Sequence, residues 1–249
     1  MRAPTFALLA GTAIYQGARL IVYVAGAAAT GPADFGIWVL LTLIIQYSAV
    51  LTLGLPNGAG HQVPFLLGAG HTAEAQRAED SAFVGTLVGS VAAACTGFLL
   101  ALGIVDKHVT NPVLIAVLVA AVVFTQQLFV LAQILFRSRF AFHAAAVQLA
   151  IAGLTFLAAG LILLPLGIAG LAAATLLGQT AALAAAKFLL PRRPRLRWHN
   201  GQGVPLAIIG APIMLAGFGF AVLTTVDRWL VLAYLGRDEV GIYGLVGIA

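Results

Sequence analysis

The chain has 249 residues, of which 61% are hydrophobic and only 8% charged, with a formal net charge of +5. Its mean hydropathy is +1.04. Soluble domains carry about 25% charged residues, so this composition excludes an aqueous globular fold and predicts an all-α, polytopic membrane helix bundle. Nucleic acid is not predicted as a partner, because the basic residues are not spread over a soluble face.

Apolar runs predict seven helices and the start of an eighth, near 6–29, 36–57, 81–105, 112–136, 142–164, 167–190, 204–235 and from about 240. A span needs roughly 20 apolar residues, so the eighth breaks off half built. The opening MRAPTFALLAGTAIYQ has one arginine before an apolar stretch, as a signal peptide does. The apolar run continues through Arg19 to Ala29, however, which predicts an uncleaved first span.

Within that span Thr12, Gln16, Arg19 and Tyr23 recur at spacings of four, three and four, which places them on one helical face. An arginine inside an apolar helix is costly unless it meets a cavity or a partner. The stripe therefore reads either as the lining of a water-accessible interior or as interhelical hydrogen bonding that holds the bundle together.

The second span adds Gln46 and Asn57. The polar stretch from Gly58 to Asp80 holds two GAGH copies ten residues apart and then TAEAQRAED, which predicts a helical extension or an interfacial segment. Its His61 and His71 have no carboxylate or cysteine at ligand spacing and read as solvated residues rather than metal ligands. No metal or other cofactor is predicted. In the third span Gly85 and Gly89 have a GxxxG spacing that reads as helix packing, and the single cysteine, Cys95, reads as a small core residue. The fourth span carries Gln126, Gln127 and Gln133.

The basic stretch PRRPRLRW lies in a linker, 191–203, between a six-helix N-terminal lobe, 1–190, and the start of a second lobe, 204–249. In the seventh span Gly210, Pro212, Gly217 and Gly219 predict a bend or hinge, a pointer to a transport site or a moving element. Thr224, Asp227 and Arg228 fall within one turn near its end. Asp227 and Arg228 read either as cavity groups or as a local charge pair with the arginine snorkelling to the interface.

Orientation follows from the basic residues. With the N-terminus inside, the cytoplasmic side receives Arg2, Arg77, Arg137, Arg139, Lys187 and the four arginines of 192–197, and the other side only Lys107 and Arg237. That asymmetry predicts a cytoplasmic N-terminus. An internal repeat is also present. GPADFGIW (31–38) and GRDEVGIY (236–243) both fit G-x-x-[DE]-[FV]-G-I-[WY]. Each follows an apolar helix with an embedded arginine, and six spans separate them, so the repeat is parallel in the membrane. Ordinary turn chemistry is the alternative: glycine for positive φ, an acidic helix cap and an interfacial aromatic.

Enzyme templates are missing: the sequence holds no HExxH, GxSxG, P-loop or CxxC motif, and no long soluble loop. GPADFGIWVLLTLIIQYSAVLTLGLPNG, with Thr52-Leu53-Gly54-Leu55 in place of a D/T-L-G-L signature, resembles the oligosaccharide and polysaccharide flippases. QILFRSRFAFHAAAVQL and DRWLVLAYLGRDEVGIYGL resemble the helix 4–5 turn and the helix 7–8 passage of the same family. The resemblance implies a member of the multidrug/oligosaccharidyl-lipid/polysaccharide exporter superfamily. It implies two six-helix lobes around a central cavity, in the inner (cytoplasmic) membrane of a bacterial cell. The implied cargo is a lipid-linked oligosaccharide on an undecaprenyl diphosphate carrier, moved by alternating access, with membrane lipid and polysaccharide-assembly proteins as partners. Arg19 would hold the anionic head group, with Arg228 second and Gln16, Tyr23 and Asp227 beside them. A drug/cation antiporter of the same fold is the alternative, although an antiporter calls for acidic residues deep in the first lobe, where none is found. A membrane enzyme of polysaccharide assembly is the third reading. Against such a family the chain reads as a fragment that barely enters its second lobe.

Overall fold

The structure, a computed structural model, describes residues 2–105 and 111–246. Ten helices follow one another: α1 (Arg2–Thr30), α2 (Pro32–Tyr47), α3 (Leu55–Gly68), α4 (Thr72–Ile104), α5 (Pro112–Ser138), α6 (Phe142–Leu163), α7 (Gly167–Leu189), α8 (Gly203–Leu223), α9 (Val226–Tyr234) and α10 (Arg237–Val246). No strand occurs among the described residues. Among the described residues six apolar stretches are long enough to cross a membrane, and one of them, Phe142–Leu189, is 48 residues long. It is long enough to cross twice: a short 3₁₀ turn at Leu164–Leu166 reverses the chain at Gly167, and α6 packs along α7. The result is a multi-pass membrane bundle. Its outer surface bears large apolar side chains such as Phe6, Leu99 and Phe188, each more than 65% exposed, as a lipid-facing surface requires. Lys107 and residues 247–249 lie outside the described residues, as do the side chains of Arg2 and Arg237.

Two spans differ from their predicted form. The second, expected as one helix over 36–57, begins at Pro32 and breaks after Tyr47 into a 3₁₀ turn, Ser48–Thr52, before α3. The hydroxyls of Thr42, Ser48 and Thr52 donate to carbonyls three residues back at 2.6, 2.7 and 2.8 Å, a competition that bends helices. Leu53 and Gly54 then take left-handed φ of 52° and 72°. The Thr52–Leu55 signature is therefore the break itself. Beyond it the polar stretch 58–80 is helical, forming most of α3 and the first turns of α4.

The seventh span continues as helix through Pro212 and breaks at Thr224–Thr225, between α8 and α9. There the two threonine hydroxyls donate back to the Phe220 and Ala221 carbonyls at 3.0 and 2.6 Å. Cys95, expected in the core, is exposed. The inner face of α4 is set by Ala93, Gly97 and Ala101 at a spacing of four, and Cys95 lies about 200° around the helix from Ala93. Gly85 and Gly89 do pack, against Leu55 and the Leu51–Thr52 backbone.

The later helices meet the earlier ones backbone to backbone at two places. At one end of the bundle a Cβ on Gly210 would lie 1.9 Å from the Gly54 carbonyl oxygen, and α8 packs along α3. At the other end, α10 packs along α2, and a Cβ on Gly241 would lie 2.0 Å from the Pro32 carbonyl oxygen and 3.1 Å from the Gly36 nitrogen. Gly36 and Gly241 are the equivalent glycines of the two repeat copies, so the copies pack on each other. Their leading glycines, Gly31 and Gly236, both adopt left-handed φ, 80° and 101°.

The basic stretch after α7 is strapped to α4 rather than loose. Arg192 forks onto Asp80 at 2.8 and 2.9 Å and reaches Glu79 at 3.1 Å, while Arg139 forks onto Glu79 at 2.6 and 2.9 Å. The Arg195 N–H donates to Asp80 Oδ1 at 2.8 Å. The bonds that Arg192 donates to Asp80 hold its guanidinium above its ordinary pKa. Both carboxylates are buried, so each needs its cationic partners.

Because the Gly54–Gly210 contact leaves no room for a side chain, Gly210→Val is expected to destabilise the detergent-solubilised protein by about 2 kcal/mol, the cost of overpacking. Gly217→Val, which meets nothing within 4 Å, is expected to leave thermal unfolding unchanged. Fluorescence-detected size exclusion over a temperature ramp measures both.

Candidate functional site

Between the two glycine contacts the helices part around Arg19. This residue sits eleven positions before the end of α1, about 16 Å along the helix and thus deep in the bilayer. Its guanidinium lies over the rings of Tyr15 and Tyr23, 5.8 and 5.4 Å from their centroids, a favourable placement for a cation. It donates only long hydrogen bonds, to Gln16 Oε1 at 3.4 Å and Tyr23 Oη at 3.5 Å. Tyr23 is itself fixed edge-on by Phe35, Trp38 and Phe156, with ring centroids 6.4, 6.3 and 6.0 Å away.

Facing this stripe, Trp38, Thr42 and Gln46 line one side of α2 at a spacing of four. Two hollows of about 440 and 490 Å³ meet here, and both are lined by Arg19, Tyr23, Trp38, Thr42 and Arg228. The first reaches toward α5 and α7 through Gln126, Gln127, Thr175 and Gln179. The second reaches toward α10, past Gln16, Phe35 and Gly244. Among the described residues no Asp or Glu lines either hollow. Among the described residues no carboxylate lies within 4 Å of the Arg19 or Arg228 side-chain nitrogens.

Of the sequence-predicted residues, Gln16, Arg19, Tyr23 and Arg228 thus come together on one cavity. Thr12 does not; its hydroxyl donates to the Leu8 carbonyl at 2.9 Å. Asp227 is also outside the lining. Its carboxylate accepts from Tyr243 Oη at 2.7 Å and from the Arg228 N–H at 2.8 Å, so it frames the first turn of α9 that presents Arg228. Gln133 is spent on packing: its amide donates to Gln148 Oε1 at 2.7 Å and to the Ala145 carbonyl at 3.1 Å. His61 and His71 are exposed, and no group of three metal-ligating side chains occurs among the described residues. Sequence reasoning missed Tyr15, Thr42, Thr175 and Gln179. The stripe Trp38–Thr42–Gln46 was detectable by the same spacing that exposed Arg19, and Gln179 only as a lone amide in an apolar span.

A family model for polysaccharide biosynthesis proteins matches residues 30–246. The chain belongs to that family. A comparison with curated proteins returns no significant match. Among solved structures, the family fold seen here is similar to an inward-facing multidrug resistance MATE family transporter of the MOP superfamily (17% identity, TM-score 0.73). That match covers 93% of this chain and 56% of the other. An outward-facing structure of a MATE family transporter matches with 16% identity and a TM-score of 0.74, over 98% of this chain and 61% of its own. A MOP superfamily transporter from Pyrococcus furiosus Vc1, described as having a reversed binding-pocket polarity that suggests a different function, matches at 15% identity and a TM-score of 0.69, over 98% and 63% of the two chains. The chain spans about 60% of the length of these structures, and at such identities the likeness is one of fold. This family member is accordingly a multi-pass membrane protein whose fold is similar to that of these transporters.

Two arginines without carboxylates should make the cavity electropositive. In a Cys95→Ser background, a thiol placed by Thr42→Cys is expected to react faster with an anionic methanethiosulfonate than with a cationic one. The excess is on the order of tenfold, the factor that 1.4 kcal/mol of potential supplies. Arg19→Gln with Arg228→Gln is expected to abolish that preference, and Leu43→Cys, at a fully buried position, to remain unreactive.

Proposed function

We propose that the chain binds and translocates a lipid-linked oligosaccharide, with an undecaprenyl diphosphate carrier, across the bacterial cytoplasmic membrane for cell-surface polysaccharide synthesis. The observation that carries this reading is the convergence of Arg19 and Arg228 on a cavity that no carboxylate lines. A guanidinium presents paired N–H groups that match phosphate oxygens, and in a low-dielectric interior such an anion offsets the cost of the buried charge. Gln16 and Tyr23 orient Arg19 from positions one turn away, and Asp227 positions Arg228 through its first-turn hydrogen bond.

The family match to polysaccharide biosynthesis proteins supports a glycan cargo. The basic residues Arg77, Arg137, Arg139, Lys187 and Arg192 all fall at the end of the bundle that carries the strap, which supports a cytoplasmic N-terminus and loading from that leaflet. Translocation then proceeds by alternating access, with proteins of polysaccharide assembly supplying and receiving the cargo. The fold likeness to multidrug transporters favours a drug/cation antiporter as the second reading. The cavity charge opposes it, since a cationic drug would meet two arginines and no carboxylate.

Vesicle flipping of a fluorescent polyprenyl-diphosphate-linked oligosaccharide tests the proposal in the polypeptide that carries this sequence. Arg19→Ala at wild-type expression is expected to slow flipping on the order of tenfold or more, the loss of one charge-assisted contact. Arg19→Lys is expected to retain part of the rate, as a point charge without the fork. An unaltered rate in Arg19→Ala would falsify the assignment, and Arg19-independent efflux of cationic dyes would favour the antiporter.

A further inference from the structure

The strap between α7 and α8 carries charge that the bundle does not use. Pro191 follows the last turn of α7, and Pro194 fixes its own φ and restricts Arg193 before it, so the chain leaves the helix until Gly203. The strap is nonetheless pinned. Arg192 forks onto Asp80, the Arg195 N–H donates to the same carboxylate, the His199 N–H donates to Ser81 Oγ at 3.2 Å, and Arg193 Nε donates to the Lys187 carbonyl at 2.6 Å. The Trp198 ring closes over Gly203, where a Cβ would lie 2.2 Å from it.

These pins leave a patch of two kinds facing outward. Arg193, Arg195 and Arg197 are exposed, and among the described residues no carboxylate lies within 4 Å of their side-chain nitrogens. The acidic groups that meet the strap, Glu79 and Asp80, are buried and already engaged by Arg139 and Arg192. Beside the three arginines, Phe188, Leu196 and Trp198 are exposed as well, and the Arg193 guanidinium lies 5.8 Å from the Phe188 ring centroid. A soluble anion would answer the arginines and leave the apolar side chains in water. A phospholipid of net negative charge answers both. Its phosphate oxygens accept from guanidinium groups, its acyl chains cover Phe188 and Leu196, and the Trp198 ring is suited to the level between them. A strap that is already ordered loses little chain entropy on binding.

From this arrangement we propose that the strap is a binding site for an anionic phospholipid of the leaflet it borders. Arg193, Arg195 and Arg197 hold the headgroup phosphate, and Phe188 and Leu196 lie against an acyl chain. None of these residues lines the hollows around Arg19, so the site is independent of the cargo read there. Because the strap joins α7 to α8, an occupied site fastens that junction to the membrane surface.

Tryptophan quenching tests the proposal, since bromine on an acyl chain quenches an indole that it touches. The purified polypeptide in a neutral detergent is titrated with phosphatidylglycerol or with phosphatidylcholine, each brominated on its acyl chains. A basic residue close to an anionic lipid surface contributes about fivefold. Phosphatidylglycerol is therefore expected to reach half-maximal quenching at a concentration on the order of tenfold lower than phosphatidylcholine. Trp198→Phe is expected to remove that saturable component. The triple variant Arg193→Gln, Arg195→Gln, Arg197→Gln is expected to abolish the preference between the lipids. Arg195→Gln alone removes a side chain that makes no hydrogen bond to the protein among the described residues; it is expected to cut the preference about fivefold, and it reports on the site even if the triple variant unfolds. Arg77→Gln with Arg137→Gln, at two other exposed positions on the same end of the bundle, is expected to leave the preference intact. Equal quenching by the two lipids, or a preference that survives both the triple variant and Arg195→Gln, overturns the site. So does an equal loss in the Arg77 and Arg137 variant, which would spread the attraction over the whole basic surface.

Discussion

A guanidinium that no carboxylate neutralises, set about 16 Å deep in a bilayer helix, is the constraint around which the bundle is arranged. Its exposure to hydrocarbon would cost about 3 kcal/mol at the least. The structure answers with partial measures: two tyrosine rings, two long hydrogen bonds and a pair of hollows that meet at the charge. A carboxylate would have satisfied Arg19 more completely, as Glu79 and Asp80 satisfy Arg139 and Arg192 in α4. The contrast within one chain is informative. Where charge is structural it is paired and forked; where it faces the cavity it is left with capacity for an incoming anion.

The cavity exists because two spans do not run straight. Serine and threonine hydroxyls that donate to their own helix end α2 and α8 early, and the left-handed Leu53 and Gly54 complete the first break. The two breaks meet: Tyr47, the last residue of α2, shares a hydrogen bond with the Thr225 hydroxyl, and the Trp229 indole donates to the same Tyr47 oxygen at 3.2 Å. On either side of them, backbone contacts at Gly54–Gly210 and Gly36–Gly241 bring the later helices against the earlier ones. Arg228 reaches the hollows that Arg19 occupies only because α8 and α10 can approach that closely at both ends.

How much of this was legible in the sequence divides along physical lines. The spans were, because hydrocarbon demands long apolar runs, and the Gln16–Arg19–Tyr23 face was, because helical spacing alone places it. The breaks were not: hydropathy cannot see a threonine bonding its own backbone, and Pro212, the obvious bend signal, lies in an unbroken helix. Cys95 faced outward because small residues two positions away took the inner face. Asp227 turned from the cavity because Tyr243, sixteen residues on, offered a hydroxyl at 2.7 Å. The repeat was readable as a pattern, but the meeting of its glycines, Gly36 and Gly241, required three dimensions.

A fold shared with multidrug transporters does not by itself choose a cargo, since the same helices can enclose a cavity of either sign. What distinguishes this cavity is the division of labour along it. Arginines at one point supply attraction that is strong but indifferent to the rest of the ligand. Amides and hydroxyls farther in are neutral and hold one another, tying α5 to α7 and to the break in the second span. Were the glutamines carboxylates, the guanidinium would gain a counter-charge inside the cavity; were they apolar, α5 and α7 would lose the hydrogen bonds that join them. Neutral polar side chains are the composition that orders the cavity wall and still leaves Arg19 without a carboxylate.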